Sequence, residues 1–190
     1  MSVLINDKID NLLKTTSRSF YPTLKYLPKK VRGQIGLLYL LARVADTIAD
    51  SKSGETEELL SLLRGYNQVA QGKSNDLPDF SKLAEIQENP HEAELLRNVS
   101  DVVDGLMVYS EADQQRMLEC LDIIVGGQIL DLERFGTAKE GGNLSSLSDN
   151  LELDDYTFRV AGCVGVFWTK MSLAHLITLK PEKENEFFEK

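Results

Sequence analysis

The sequence predicts an all-α fold. Nearly every ordered-looking segment carries apolar residues at helical spacing, and no stretch shows the strict alternation of apolar and polar residues that marks a half-buried strand. Composition agrees: 42% hydrophobic and 27% charged over 190 residues supply apolar material for one sizeable core, so one domain is the default.

The elements follow in order. Leu4, Ile5, Ile9, Leu12 and Leu13 outline a short amphipathic helix, and after Thr15-Thr16 a second short piece holds Ser17-Arg18-Ser19-Phe20. Pro22 and Pro28 punctuate the next stretch. Pro28 suits the first turn of a long helix to about Ser51, where its missing N–H is no loss and its φ is already helical; Ser51, Ser53 and Gly54 close that helix. A third helix fits Glu55 to Ala70, with Glu57 and Glu58 near its positive end and Gly72 just beyond. Lys73 to Pro90 reads as polar and loop-rich. His91 to Tyr109 and Glu111 to Phe135 read as two further helices, Gly136 to Asn150 as a Gly/Ser-rich connection, and Leu153 to Thr178 as a last long helix. The Glu/Lys-rich stretch from Lys180 to Lys190 has the character of an exposed linker.

Charge and sequence extremes narrow the functional classes. The formal net charge of -9 disfavours nucleic acid or an anionic membrane as partner, since both require Lys and Arg to displace counterions. It does not exclude a small anionic substrate, because a local group of Arg with metal outweighs a screened distant field. Cys120 and Cys163 stand in apolar helical patterns without CxxC spacing or a nearby histidine, which argues for core thiols and against a zinc site or disulfide framework. Met1 to Asp10 is no secretory signal, and the longest strongly apolar stretch, Leu37 to Ala42, is far below the ~20 residues of a membrane span. A soluble cytoplasmic protein is the expectation.

The most informative pattern is Tyr39, Arg43, Asp46 and Asp50, at offsets of 0, 4, 7 and 11. At about 100° per residue they share one narrow stripe. The rest of the helix is apolar: Leu37, Leu38, Leu40, Leu41, Val44, Ala45 and Ile48 cover the other directions. A solvated face with an i,i+3 salt bridge is one reading of the stripe. Burial on both flanks favours another, a wet cavity inside a helical bundle. Buried carboxylates need compensation, and Arg43 neutralises only part of the pair. Two carboxylates at i,i+4 can hold hard cations between them and leave positions for water and diphosphate oxygens, so Mg²⁺ is the natural match.

Three strings occur in one order: Ser17-Arg18-Ser19-Phe20; Tyr39-x-x-x-Arg43-x-x-Asp46-Thr47-Ile48-Ala49-Asp50; and Tyr156-x-x-x-Val160-Ala161-Gly162-x-Val164-Gly165. Together they resemble squalene/phytoene synthases, from about Ser17 to the end of the last helix. The resemblance implies a class I isoprenoid synthase-type helical bundle with a central cavity. It implies that Asp46 and Asp50 bind Mg²⁺, that Arg43 holds diphosphate, and that Ser17, Arg18 and Ser19 contact diphosphate with Phe20 against prenyl carbons. Ser17 or Ser19 capping a short helix is the simpler alternative. Tyr39 and Gln128 join the substrate-binding set, and Tyr156 falls near the reacting carbons, where a phenol handles a proton or steadies a cation; a core tyrosine is the alternative. Gly126-Gly127 within a helix suggests close packing or a cavity wall. Gln128 and Asp131 share a face and border the same cavity, unless Asp131 pairs with Arg134 at the surface.

The implied reaction is head-to-head condensation of two prenyl diphosphates, most simply farnesyl diphosphate to presqualene diphosphate and then squalene or dehydrosqualene. Squalene-forming members reduce with NADPH, and a peripheral membrane contact serves product release. Phytoene synthesis from geranylgeranyl diphosphate and a non-catalytic helical interaction protein retaining the synthase fold are the alternatives. A chain-elongating prenyltransferase fits poorly, because its Asp-Asp-x-x-Asp motif is missing. The family's second Asp-rich motif is also missing, so residues 1–190 are expected to be the amino-terminal portion of one prenyl synthase domain, with weak or no turnover alone.

Overall fold

The computed structural model describes residues 6–51, 55–139 and 146–177. Its elements are α1 (Asp7–Ser17), α2 (Phe20–Tyr26), α3 (Lys29–Ala49), α4 (Thr56–Ala70), α5 (Ser81–Ile86), α6 (Pro90–Arg97), α7 (Val99–Asp104), a 3₁₀ turn (Gly105–Val108), α8 (Glu111–Lys139), α9 (Asn150–Thr157), a π turn (Phe158–Gly162) and α10 (Cys163–His175). No strand occurs among the described residues, so the fold is all-α. Thr178, the last residue of the expected final helix, and the linker-like stretch from Lys180 lie outside the described residues, as do residues 140–145 of the Gly/Ser-rich connection.

Helix α3 is the axis of the molecule. It packs against α1, α4, α6, α7, α8 and α10, which requires an apolar surface nearly all round. Leu37, Leu40, Leu41, Val44, Ala45 and Ile48 are fully buried, as the pattern anticipates. Tyr66 of α4 is also fully buried and donates its hydroxyl to the Leu41 carbonyl at 2.9 Å, satisfying a polar group that would otherwise be stranded in the core. Gly33 lets α3 approach Tyr109: a Cβ there would stand 2.5 Å from the Tyr109 hydroxyl.

Caps are local and legible. Asn6 accepts from the Ile9 N–H, Asn89 accepts from the His91 N–H with Pro90 at the first helical position, and Asp149 accepts from the Glu152 N–H. Gly72 ends α4 with φ +66°, the left-handed conformation glycine favours.

Three segments depart from the sequence expectation. The polar stretch 73–90 contains α5, which Phe80, Leu83 and Ala84 pin to the core. The helix expected from His91 to Tyr109 is broken at Asn98 (φ -119°, ψ 22°), whose side-chain amide donates to the Glu94 carbonyl at 2.7 Å and thereby competes with the backbone ladder. Helix α1 runs through Thr15-Thr16 to Ser17, the chain turning at Arg18 with φ 46°.

From Asn150 to His175 the chain is helical throughout but widens to a π turn at Phe158–Gly162. It runs antiparallel to α8. Cys163, Phe167 and Met171 are its buried side chains, spaced four apart on one face. None of α9 or the π turn is buried. Asp113 of α8 ties the far end together: it accepts from Gln34 of α3 at 3.1 Å, from Arg116 at 2.9 Å, and meets His175 of α10 at 2.9 Å.

Candidate active site

The carboxyl-terminal half of α3 faces the glycine-containing middle of α8. Between them lies a cavity of about 400 Å³, lined by Asp46, Ala49 and Asp50 of α3, by Ile124, Gln128, Asp131, Leu132 and Phe135 of α8, and by Val160 of the π turn. Gly126 and Gly127 bring the π turn close to α8, since a Cβ on Gly127 would stand 3.0 Å from Arg159 Cβ. The two glycines thus serve close packing, and Gln128 and Asp131 do border the cavity that holds the acid pair. Arg134 pairs with Glu152 at 3.3 Å.

Asp46 is half-buried, and Asp50, in the C-cap position of α3, is exposed at the mouth. The cavity is therefore open on the Asp50 side. Gln128 Nε2 donates to Asp46 Oδ1, joining residues on different helices. Burial pushes the Asp46 carboxyl above its ordinary range; Arg43 opposes this, the Asp50 charge adds to it, Gln128 opposes it and Glu92 adds a little.

The Gln128 side-chain oxygen is buried and has no hydrogen-bond partner. An orphaned acceptor beside two carboxylates forms an oxygen set of the kind hard cations select. Among the described residues no group of three or more His, Cys, Asp or Glu side chains could hold a metal. Asp46, Asp50 and Gln128 could offer oxygens to a hard divalent cation only as a partial set, with the other positions left to water and to oxygens of a substrate.

One turn before Asp46, Arg43 donates to Glu92 of α6 at 2.5 Å, and its buried Nε has no partner. Glu92 carried no signal in the sequence. It lies 49 residues from Arg43 in an acidic segment whose hydrophobic pattern does not require it. Tyr39 is half-buried; burial raises its phenol, Arg43 opposes this, Asp46 adds to it and Arg18 opposes it least. Its ring meets Phe20 at 5.2 Å between centroids and 32° between planes, which joins the Ser-Arg-Ser-Phe string to the stripe.

The rest of that string is less convergent. Ser17 is buried, and its hydroxyl donates to the Leu13 carbonyl at 2.5 Å. Arg18 and Ser19 are exposed, and Ser19 occupies the N-cap position of α2 without a side-chain hydrogen bond, so neither serine caps a helix through its hydroxyl. Tyr156 is half-buried on α9 and does not line the cavity; Val160, about one turn further on, does. Gly165 has open space where its Cβ would stand, while the Gly162 position abuts Phe158 at 2.9 Å.

No helix among the described residues is long and apolar enough to cross a membrane. No curated protein matches the chain. The squalene/phytoene synthase family model matches residues 13–186, which takes in every element around the cavity. A match of that extent, on an all-helical fold, means that the chain belongs to the squalene/phytoene synthase family, which joins prenyl diphosphates head to head.

Proposed function

We propose that this chain binds prenyl diphosphate in the cavity beside α3 and takes part in the head-to-head joining of two farnesyl diphosphates, through presqualene diphosphate, to squalene or dehydrosqualene. The observation that carries the proposal is the convergence on one cavity of Asp46 and Asp50 from α3 and of Gln128, with its unpartnered side-chain oxygen, from α8. Asp46 and Asp50 would hold Mg²⁺, whose charge when bound offsets the charge developing on the departing diphosphate.

The side chains around that position have separable tasks. Gln128 orients the Asp46 carboxylate by its amide hydrogen bond and keeps an acceptor free. Arg43, paired with Glu92 one turn before Asp46, would offer its other guanidinium N–H groups to diphosphate oxygens. Ile124, Leu132, Phe135 and Val160 give the cavity an apolar wall that keeps water from an allylic cation. Phe20 of α2 and Tyr39 of α3, whose rings meet at a tilt, would offer aromatic surface to the prenyl chain. Tyr156, one turn before Val160 and outside the cavity lining, would handle a proton only where the substrate extends past Val160. NADPH would be the reductant where squalene is the product.

The test is calorimetric titration of a non-hydrolysable farnesyl diphosphate analogue with and without Mg²⁺. Binding is expected to require Mg²⁺ and to be lost in Asp46→Asn. Equal binding by that variant, or binding indifferent to Mg²⁺, defeats the proposal.

A further inference from the structure

On another side of α8, two helical turns before Gln128, the Cys120 and Cys163 sulfurs stand 4.0 Å apart. Both cysteines are buried and free. The sequence separates them by 43 residues and gives no hint of their pairing. Their thiols form a short chain: Cys120 donates towards Cys163, and Cys163 donates to the Arg159 carbonyl at 3.3 Å, within the π turn.

Packing alone would account for one buried thiol, but two further features set this pair apart. Both cysteines line a cavity of about 350 Å³ floored by Phe158 and Phe167 and edged by Glu119 and Lys170, which pair at 2.9 Å. A small polar reagent can therefore reach the sulfurs from a charged rim. Moreover, Cys163 is the first residue after the wide π turn, where the regular helical repeat is already interrupted. The hydrogen bond from Cys120 lowers the Cys163 thiol below its ordinary range against the effect of burial, helped by the backbone N–H groups of Val164 and Cys163. Cys120 is pushed the other way. One sulfur is thus disposed to react first and the other to resolve.

We propose that Cys120 and Cys163 are a redox-sensitive pair that closes to an intrachain disulfide when a hydroperoxide enters the cavity between α8 and α10. With hydrogen peroxide, the Cys163 sulfur attacks one oxygen, the O–O bond breaks, and the sulfur becomes a sulfenic acid while the thiol proton leaves with the other oxygen as water. The Cys120 sulfur then attacks the sulfenic sulfur; the S–S bond forms, the S–O bond breaks, and the departing hydroxide takes the Cys120 proton as a second water. The two thiols together lose two electrons and the peroxide gains them. The sulfurs must approach by roughly 2 Å, a movement the neighbouring wide turn favours. Closure fixes α10 to α8 three residues after Val160, which lines the acid-bearing cavity.

The experiment treats the full chain with hydrogen peroxide, then alkylates it under denaturing conditions with N-ethylmaleimide before intact-mass and peptide analysis. Expected are loss of both adducts and a peptide pair joining residues 120 and 163, reversed by dithiothreitol. In Cys120→Ser, dimedone should trap the Cys163 sulfenic acid severalfold more than in the unmodified chain. Retention of both maleimide adducts, links formed only between separate chains, or equal dimedone labelling of the two proteins overturns the proposal. Should Cys120→Ser fail to fold, the peptide map of the unmodified chain decides alone.

Discussion

Asp113 offers the most exacting test of how this bundle is held together. The residue is 4% exposed, yet its side chain accepts from Gln34 of α3 and Arg116 of α8 and meets His175 of α10, so one carboxylate joins three helices. Asp113→Ala strands the buried Gln34 amide and leaves two basic groups without their shared partner. Removing one member of a buried, hydrogen-bonded charge cluster costs about 3–5 kcal/mol, and the partial exposure of Arg116 and His175 moves the expectation to about 3 kcal/mol. For a chain of this size that corresponds to a thermal midpoint lower by about 6–12 °C.

The pH dependence has a definite sign. Burial alone would raise the Asp113 carboxyl, but the hydrogen bonds from His175 and Gln34 and the charges of His175 and Arg116 outweigh it and hold it below the usual aspartate range. A lowered folded-state value means the native state keeps the carboxylate charged more readily than the unfolded chain does. The stabilisation is therefore complete above the unfolded value of about 3.9 and is lost as pH falls through the lower folded value. Urea denaturation followed by circular dichroism should show the gap between parent and variant at neutral pH and a narrowing gap below about pH 4. A difference under about 1 kcal/mol at neutral pH, or a gap that stays constant into acid, would refute this reasoning.

Two further substitutions probe the α3 axis. Tyr66→Phe removes a fully buried hydroxyl and its bond to the Leu41 carbonyl, which keeps its helical bond within α3, and should destabilise by about 0.5–1.5 kcal/mol, measured by the same denaturation; an unchanged midpoint would mean that the hydroxyl bond adds nothing net. Gly33→Ala drives a methyl group into the Tyr109 hydroxyl and should lose about 1–3 kcal/mol, with Gly33→Ala/Tyr109→Phe recovering part of it.

Legibility in the sequence followed range. Helical periodicity, caps and the apolar girdle of α3 are set by residues within a few positions of one another, and the acid stripe with its burial on both flanks could be read before any contact was known. Gly126-Gly127 correctly signalled a close approach, because a glycine pair in a long helix has few other uses, though not that Arg159 makes it. What escaped reading depends on tertiary distance. Gln128 reaches Asp46 across 82 residues and Glu92 reaches Arg43 across 49, and neither partner has a local pattern that demands it. Helix α5 escaped because its three apolar anchors are embedded in polar residues, and the break at Asn98 because a side-chain amide captured a backbone carbonyl inside an otherwise helical pattern.

The π turn at Phe158–Gly162 accommodates one residue more than an α-helical stretch spanning the same distance. Elsewhere in a helix an added or deleted residue swings everything beyond it by about 100°. Here the surplus is confined to a single coil, so Arg159 can lie over Gly127 while Cys163, Phe167 and Met171 still meet the core. A chain shortened by one residue inside this coil can relax to ordinary α-helix and keep both alignments, whereas the same deletion in the middle of α8 would turn Asp131 away from Asp46.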